Sequence, residues 1–473
     1  MKKVNLNKLK YKFNRINSDP LLEILLVLIF AVTTNTVIYL NLVLHSILAI
    51  SAIAALFFIF ADYSNGLVLM VFLIPLDSAS VIIPGLTLTK VIGIVTVISF
   101  LISNIKHGIK LPDISLTAFL LYAAASIAWS IDIKESFNRI TNLANYYVMV
   151  IMIINSVNPI TSINSIASIN SISTNKNLIK YMNAYLCGSI VVSCLGIYNF
   201  ITSGGSQRVA AFYGENMNFY GLTIGIAIIL SLYLFKNYVN SGNKILKGIY
   251  LAACLVLILG QLVSLSRTAW VATCISSFVF FTSSKFNIKR VIISIITLVV
   301  IVSVPLLILK RIVPVSTDLF LNRFTTIFTL SDNAAGRLDI WKVAFNIFKD
   351  YLFFGVGISN FPAAFTYGYI MNSSAPLDVG LNSDPHNLYI SISVELGITG
   401  MLIFLFTIYN IFRNIFSLKE NGYKEFCMVL MLFLLVAGLT STILYKKYFW
   451  YVLSLVYAII NQINESEKAK GKY

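Results

Sequence analysis

The chain has 473 residues, of which 58% are hydrophobic and only 11% are charged, and it carries a formal net charge of +16. Charged residues approach about a quarter of a soluble domain, so this composition excludes one and indicates an integral membrane protein. The positive charge does not indicate nucleic-acid binding, because the basic residues are scattered over short loops and form no single basic stripe.

Apolar runs long enough to cross a bilayer recur along most of the chain. A spanning helix needs about 20 mostly apolar residues, whereas a membrane β-barrel would show short strands of alternating polarity. The sequence therefore predicts an all-α, polytopic transmembrane helical bundle of about 12–14 spans. The predicted spans, in chain order, are 21–40, 42–61, 66–84, 88–105, 114–130, 140–157, 180–202, 217–235, 248–265, 268–284, 291–309, 388–411, 425–443 and 447–463.

Segments within and between the spans add detail to this bundle. The basic segment Met1–Pro20 precedes an apolar run with no small-residue cleavage site, so we expect a retained first helix.

The third span is interrupted by Pro75-Leu76-Asp77 and could be re-entrant, which would change the side of every later loop. The Asn-, Ser- and Ile-rich interval 158–177 indicates a connector between two halves. All five cysteines lie in apolar runs, which favours buried thiols over disulfides or metal ligands.

The basic residues indicate how the bundle is oriented. Short cytoplasmic loops carry an excess of lysine and arginine, and a cytoplasmic N-terminus places most of the 35 Lys and Arg residues on that side. Both termini are therefore predicted to be cytoplasmic. The predicted segments are a cytoplasmic tail 1–20, a bundle of about 11 spans over 21–309, a large extracytoplasmic loop 310–387, C-terminal spans over 388–463 and a cytoplasmic tail 464–473.

The interval Lys310–Asn387 is the one long polar stretch in an otherwise apolar sequence. Within it, Leu338–Leu352 has an apolar and a polar face, which predicts a helix lying in the membrane interface. Gly355 and Gly357 allow a tight turn after this helix. The predicted apolar face consists of Trp341, Ala344, Phe345, Phe348 and Leu352.

Three arginines, Arg208, Arg267 and Arg337, lie beside predicted helix ends on the extracytoplasmic side. Arginine at membrane depth is costly and is usually paired or functional. Its planar guanidinium offers two donors to phosphate oxygens, so three such residues favour an anionic lipid headgroup as the ligand. The structural alternative is that each arginine snorkels to the interface or pairs with a carboxylate such as Glu215 or Asp332.

His386 lies in Ser383-Asp384-Pro385-His386-Asn387, where the long loop returns to the membrane. An imidazole with its ordinary pKa near ~6.5 can accept a proton at neutral pH, which lysine and arginine cannot readily do. One interpretation is therefore a general base for a sugar hydroxyl. The structural alternative is a histidine bonded to the loop backbone or capping the next helix, for which Asn387 or Asp384 could serve equally.

The sequence contains no motif for a nucleotide, a redox cofactor or a metal ion. No GxGxxG, phosphate-binding glycine loop, CxxC or HExxH occurs, and the carboxylates of the long loop have no metal-ligand spacing. A nucleotide-sugar donor therefore has no support, and we expect any donor to arrive by way of the membrane.

Six short motifs occur in an order that resembles the O-antigen ligase and O-antigen polymerase superfamily. They cover about residues 208–404, whereas the N-terminal half is similar to that superfamily only in hydropathy. One departure lies in Glu215-Asn216-Met217-Asn218, where a proline commonly precedes the asparagine. The motifs are Arg208-Val-Ala-Ala-Phe-Tyr-Gly-Glu-Asn-Met-Asn218-Phe-Tyr-Gly221, Ser264-Leu-Ser-Arg267-Thr-Ala-Trp270, Gly336-Arg337-Leu-Asp-Ile-Trp341, Phe354-Gly355-Val-Gly357-Ile-Ser-Asn360-Phe361, His386-Asn387-Leu-Tyr389 and Glu395-Leu-Gly397-Ile-Thr-Gly400.

This resemblance implies a bacterial plasma-membrane glycosyltransferase with a GT-C-like fold, an undecaprenyl-pyrophosphate-linked glycan as donor and an active site on the outer face. By position, Arg208, Arg267 and Arg337 would hold the pyrophosphate, and His386 would be the general base that activates the acceptor hydroxyl. It implies neither a cofactor nor a metal, and attack on the opposite face of the anomeric carbon would invert its configuration. The lipid bilayer is a further partner, and a chain-length regulator is a candidate one. The supporting residues by position are Asn218, Trp341, Asp384 and Asn387.

The acceptor divides this superfamily, and the sequence contains no readable acceptor code. Abundant Asn, Lys and Ile indicate an AT-rich genome, which favours a cell without lipopolysaccharide and hence a polymerase of capsule, exopolysaccharide or another cell-wall glycan. The first alternative is an O-antigen ligase or O-oligosaccharyltransferase that moves the glycan to a lipid or protein acceptor. The second is a lipid-linked glycan flippase. Transporters often show repeat-related halves with charges at the membrane midplane, whereas the charged residues of interest here lie at helix ends and in one loop, and the sequence shows no repeat.

Overall fold

A computed structural model describes residues 54–83, 86–104, 108–157, 176–205, 207–240, 243–282, 307, 311, 333–371, 383–419 and 421–470. Several predictions from the sequence lie outside these residues. They are the first span 21–40, most of 42–61, the connector over 158–175, the span 291–309, and the parts of the long loop before 333 and between 371 and 383.

The described chain is helical apart from one short antiparallel hairpin, β1 Val81–Ile83 with β2 Leu86–Thr87. Single 3-10 turns occupy Asp77–Ser80 and Ser126–Trp129. The α-helices are α1 Tyr63–Leu73, α2 Leu88–Asn104, α3 Ile114–Ala125, α4 Ile133–Ser156, α5 Lys176–Thr202, α6 Met217–Asn240, α7 Lys244–Val263, α8 Arg267–Thr282, α9 Asn333–Asp350, α10 Phe361–Met371, α11 Leu388–Ser417, α12 Asn421–Gly438 and α13 Lys447–Lys470.

Several of these helices have the length and polarity of membrane spans. Among the described residues, four are long and apolar enough to cross a bilayer: Lys176–Thr202, Met217–Tyr238, Lys244–Val263 and Leu388–Ser417. The prediction of an all-α helical membrane bundle is confirmed. The predicted spans from 88–105 onward that lie in described residues coincide with helices, and most of these extend a few residues beyond the apolar run. The exception is 425–443, whose helix ends at Gly438, so that its last five residues belong to a turn.

The third predicted span, 66–84, is wrong as a continuous helix. α1 ends at Leu73 because Pro75 has no N–H to donate and its ring blocks a further helical turn. The chain then forms a 3-10 turn and the β1–β2 hairpin before α2 begins. At the other end, Asp62 caps α1 by accepting the N–H of Ser64 at 2.8 Å, so the apolar run before it is divided at Asp62.

α11 contains a break on which the turn after α9 docks. Gly397 has φ 67° and ψ −172°, so the helix hydrogen bonds are interrupted there. The carbonyls of Val394 and Glu395 instead accept the N–H groups of Val356 and Gly357, at 3.0 and 2.9 Å. The carbonyls that the break leaves without helical partners are thereby satisfied, and the loop helix is tied to the bundle.

Gly397→Ala is expected to lower the thermal unfolding midpoint. A Cβ atom at this position would meet the carbonyl of Phe353, and positive φ alone costs a side-chain-bearing residue about 1–3 kcal/mol. Gly248→Ala is the matched control, because that glycine lies in α7 with open space around it, where alanine favours the helix. Thermal unfolding of the two purified variants in one detergent measures the difference, and equal midpoints would contradict the close approach.

The loop helix α9 packs differently from the predicted interfacial helix. It begins at Asn333, five residues before the predicted start, and packs against α10 and the first half of α11. Phe345, which was assigned to the apolar face, is 57% exposed, and Leu352 is also exposed. Trp341, Ala344 and Phe348 of the predicted face thus pack on the neighbouring helices, and Phe345 and Leu352 lie on the outer surface, so contact of this face with the membrane interface stays a prediction. The buried residues of α9 are Ile340, Val343, Ala344 and Ile347.

The five cysteines are free thiols, as predicted, but their burial is only partly as predicted. Cys254 and Cys427 are buried, whereas Cys194 and Cys274 are exposed on the outside of the bundle. In a membrane protein an apolar run has a surface that faces lipid, so hydropathy alone does not place a residue in the protein core.

The helix α13 lies at the centre of the bundle. Trp450 is fully buried, and the ring of Tyr451 stacks on that of Tyr185 with centroids 4.7 Å apart. The Tyr451 hydroxyl also donates to the carbonyl of Tyr181 at 3.1 Å. These contacts fix the beginning of α13 and therefore the turn 439–446 that precedes it.

Candidate functional site

Five segments of the chain meet at one end of the bundle. They are 207–218 between α5 and α6, 264–267 between α7 and α8, 337–341 in α9, 383–387 before α11, and 439–446 between α12 and α13. Because antiparallel neighbours alternate in direction, these helix ends all lie on the same side. Every site residue predicted from the sequence lies in one of the first four segments.

Arg208 joins the first two of these segments. Its Nε donates to the carbonyl of Ser264 at 3.2 Å, and its Nη2 donates to Oδ1 of Asn218 at 2.9 Å. Ser266 Oγ donates to the same Asn218 oxygen at 3.1 Å. Leu265 between the two serines has φ 49°, an unfavourable conformation of the kind that clusters at functional sites. The guanidinium is thus held next to the residue that precedes Arg267.

Arg267 and Arg337 are close enough for their charges to interact. Arg267 begins α8, and Arg337 lies in the first turns of α9. Burial lowers the pKa of Arg337, and the charge of Arg267 lowers it further, while Asp384 opposes both effects. Two guanidinium groups that repel each other in a partly dehydrated place are stabilised by an anion bound to both. The arrangement therefore favours a ligand with more than one negative oxygen.

His386 lies beside Asp384 on the approach to α11. Its backbone N–H donates to Asp384 Oδ1 at 2.7 Å, and its Nδ1 is 3.8 Å from the same oxygen. Thr442 Oγ1 also donates to this oxygen, at 2.6 Å. Burial lowers the pKa of His386; Asp384 raises it by less, and Arg337 lowers it. The imidazole is therefore neutral at neutral pH, the form that accepts a proton.

Asn387 is the cap of α11. Its Oδ1 accepts the N–H groups of Tyr389 and Ile390, at 2.9 and 3.1 Å, and its Nδ2 donates to the carbonyl of Leu439 at 2.9 Å. The alternative in which the His386 ring caps this helix is therefore wrong, because Asn387 satisfies the first N–H groups.

Trp341 connects α9 to the segment that carries His386. Its Nε1 donates to the carbonyl of Pro385 at 2.9 Å. His386 itself has φ 48°, which places it in the left-handed region that non-glycine residues rarely adopt. The bond from Trp341 therefore helps to hold a strained segment and links the loop helix to the histidine.

Glu215 is the carboxylate that the structural alternative paired with an arginine. Its Oε2 accepts the backbone N–H of Phe212 at 3.3 Å. The pKa of Glu215 is raised to about 7. Burial is the main cause, and the bonds from backbone N–H groups and the charge of Lys446 offset it only in part. Glu215 is therefore partly protonated at neutral pH and contributes less than a full negative charge. Asp332, the other carboxylate named in that alternative, lies outside the described residues.

Sequence analysis missed three charged residues at this end of the bundle. Asp77, in the turn before the hairpin, forms an ion pair with Lys447. The adjacent Lys446 has its Nζ 3.8 Å from the ring centroid of Phe219. Two consecutive lysines at the start of a predicted span were the available signal, because a charge at a helix end is often functional in a membrane protein.

A second polar network lies behind the site. Buried Glu395 accepts the N–H of Ser359 at 2.9 Å and the hydroxyl of Tyr445. Ser359 Oγ donates to Glu135 at 3.0 Å, and Arg139 Nε donates to Ser359 Oγ at 3.0 Å. The guanidinium of Arg139 also lies over the Tyr445 ring. The network connects the turn after α9 to the turn 439–446. The signal in the sequence was Glu395, a carboxylate inside an apolar run.

The cluster differs from a metal site and from the apolar cavity of the bundle. Within the described ranges, no three His, Cys, Asp or Glu side chains are grouped as metal ligands. A small apolar cavity lined by Leu116, Phe404 and Trp450, among others, contains none of the predicted site residues. The chemistry of the cluster is thus that of cations, one histidine and a few carboxylates.

A family model described as O-antigen ligase matches residues 251–405. The matched region runs from α7 into α11 and includes Arg267, Arg337, Trp341, Asp384 and His386. Residues 207–218 and the turn 439–446 lie outside it. No curated protein matches this chain.

Proposed function

We propose, on the premise that this chain belongs to the O-antigen ligase and polymerase superfamily, that it is a membrane glycosyltransferase that polymerises undecaprenyl-pyrophosphate-linked oligosaccharide units. The reaction is metal-independent and inverts the anomeric carbon. The alternative within the superfamily is transfer of the glycan to a lipid or protein acceptor, as the family's description as O-antigen ligase favours.

The observation that carries the proposal is the grouping of Arg267 and Arg337 beside the pair His386 and Asp384. Three separate segments of the matched region supply these four side chains. Two repelling guanidinium groups fit a diphosphate, and a neutral imidazole next to them fits a proton acceptor.

In the proposed reaction the acceptor hydroxyl oxygen forms a bond to the anomeric carbon of the donor sugar. The bond from that carbon to the pyrophosphate oxygen breaks, and the electron pair leaves with the undecaprenyl pyrophosphate. The hydroxyl proton passes to His386. The leaving group gains one negative charge, which the arginines stabilise in a partly dehydrated site without needing a cation. Arg208 holds the same group from the side of α6.

The proposed location is the plasma (inner) membrane of a bacterium, with both termini in the cytoplasm and the site on the extracytoplasmic face. The excess of basic residues in the loops assigned to the cytoplasm supports this orientation. The residues 310–387 then form the large extracytoplasmic loop, and the site is accessible to a donor that has already crossed the bilayer. A chain-length regulator is a further proposed partner.

The length of the product tests the proposal. The purified protein in nanodiscs is incubated with a defined undecaprenyl-pyrophosphate-linked repeat unit, and the glycans are separated by size. We expect a ladder of longer lipid-linked chains, because a polymerase uses one lipid-linked glycan as acceptor for another.

Other outcomes of the same assay exclude the polymerase. A single transfer that needs an added lipid A core or protein acceptor would assign the ligase alternative. The absence of any covalent product, together with movement of the donor across the bilayer when the protein is placed in proteoliposomes, would assign a flippase and overturn the proposed function. His386→Ala serves as the chemically inactive control.

A further inference from the structure

We propose that Lys446 is a further binding residue of this site and that its ammonium contacts the phosphate oxygens of the lipid-linked donor. The inference rests on the proposed function and adds a cation that lies outside the region matched by the family model.

The backbone at Lys446 is fixed on both sides. Its N–H donates to the carbonyl of Ile443 at 3.0 Å, and its carbonyl accepts the N–H of Phe449 at 3.1 Å. The preceding Tyr445 donates its hydroxyl to Glu395, and the following Lys447 forms an ion pair with Asp77. Neighbouring side chains on both sides therefore hold Lys446 in place before any ligand binds.

The ammonium of Lys446 lies over an aromatic ring in the first turn of α6. Its Nζ is 3.8 Å from the ring centroid of Phe219, which directly follows Asn218, the partner of Arg208. Among the described residues, no carboxylate lies within ion-pair distance of this ammonium. The aromatic ring attracts the positive charge, but it does not replace the oxygen acceptors that the three N–H donors of an ammonium would otherwise have.

Charged groups of both signs face Lys446 at longer range, and burial outweighs them. Burial lowers the pKa of Lys446, and Arg139 lowers it further, although Asp77, Asp384 and Glu215 each raise it. Of these carboxylates, Glu215 carries less than a full negative charge and Asp77 is already paired with Lys447. Since the net direction is still downward, the charge of Lys446 is incompletely compensated, and an anion bound next to it would correct this.

A phosphate oxygen is the ligand that fits these surroundings best. The arginines present planar forks that fix the orientation of a diphosphate, whereas a lysine is a point charge on a flexible stem. Phe219 directly follows Asn218 in α6, and the charge of Asp384 acts on Lys446, so its ammonium is proposed to lie on the α6 side of the diphosphate. It can therefore follow the leaving oxygen as that oxygen gains charge.

Lys446→Met and Lys446→Arg test the inference. Methionine keeps the apolar packing on Phe219 and removes the charge, and arginine keeps the charge. We expect Lys446→Met to weaken the binding of an undecaprenyl-pyrophosphate-linked sugar by about 10- to 100-fold, and Lys446→Arg to retain most of it. Lys342→Met is the matched control, because Lys342 is an exposed lysine of α9 paired with Asp339, and we expect no change. Binding is measured on the full chain in phosphatidylcholine nanodiscs.

Two competitors identify the source of the phosphate. Inorganic pyrophosphate should displace the donor from wild type and do so less well from Lys446→Met. If phosphatidylglycerol in the nanodisc displaces the donor equally well, the site takes an ordinary lipid headgroup and the inference is overturned. Should Lys446→Met fail to fold, as judged by thermal unfolding, Lys446→Gln replaces it.

The outcomes separate this inference from the proposed function. Wild-type binding of the donor together with unchanged binding by Lys446→Met would overturn the role of Lys446 and leave the function standing. If wild type binds neither the donor nor pyrophosphate, both proposals fall. Weaker binding by Lys446→Met with a normal control would support both.

Discussion

His386→Ala is expected to lower the rate of glycan transfer by about 10²–10⁴-fold, the range in which a positioned acid or base acts, while donor binding stays close to that of wild type. The imidazole is proposed to take the proton of the acceptor hydroxyl and not to hold the pyrophosphate. The measurement is single-turnover transfer with saturating donor, next to direct donor binding. Turnover near that of wild type would remove the base assignment.

The pH dependence of the same reaction provides a second test of His386. Its pKa is lowered from the ordinary value of ~6.5, chiefly by burial, so the imidazole is neutral above that pH and becomes protonated only below it. Transfer should therefore be constant through neutral pH and fall on the acid side. Asp384 raises the pKa of His386, so Asp384→Asn should move the acid limb of the profile to lower pH. A profile that does not shift would show that another group titrates.

Arg337→Ala is expected to weaken donor binding by about 10- to 150-fold, equivalent to about 1.5–3 kcal/mol for hydrogen bonds to a charged group. Arg267→Ala should have an effect of the same size, because the two guanidinium groups are proposed to hold one diphosphate. Lys342→Ala is the matched control for Arg337, since both lie in α9 and Lys342 is highly exposed. Equilibrium binding of the lipid-linked donor is the measurement.

The arginine variants separate a binding role from a structural one. If each variant binds the donor as well as wild type does, the pyrophosphate role is excluded. If donor binding is lost together with a large fall in the thermal unfolding midpoint, Arg337→Lys decides the matter. Lysine keeps the charge but not the planar fork, so binding should be partly restored if the role is electrostatic.

Hydropathy predicted the helices well where a span is apolar along its whole length, as in 88–105 and 180–202. It predicted the third span wrongly, although Pro75 was noticed. A proline within an apolar run can kink a helix or end it, and only the β1–β2 hairpin that follows shows that this helix ends. The break at Gly397 also depends on a distant part of the chain. The carbonyls of Val394 and Glu395, just before the break, accept N–H groups from a loop about forty residues earlier, which the local sequence does not show.

The sequence by itself determined the membrane class and the helical fold, because apolar length is a local property of a chain, and it singled out Arg208, Arg267, Arg337 and His386 as candidate site residues. Only the tertiary structure decided that Trp341 donates to the carbonyl of Pro385, that Thr442 donates to Asp384, and that the turn 439–446 brings Lys446 over Phe219. The physical reason is that burial and charge interactions depend on distances in space, between residues that lie far apart along the chain.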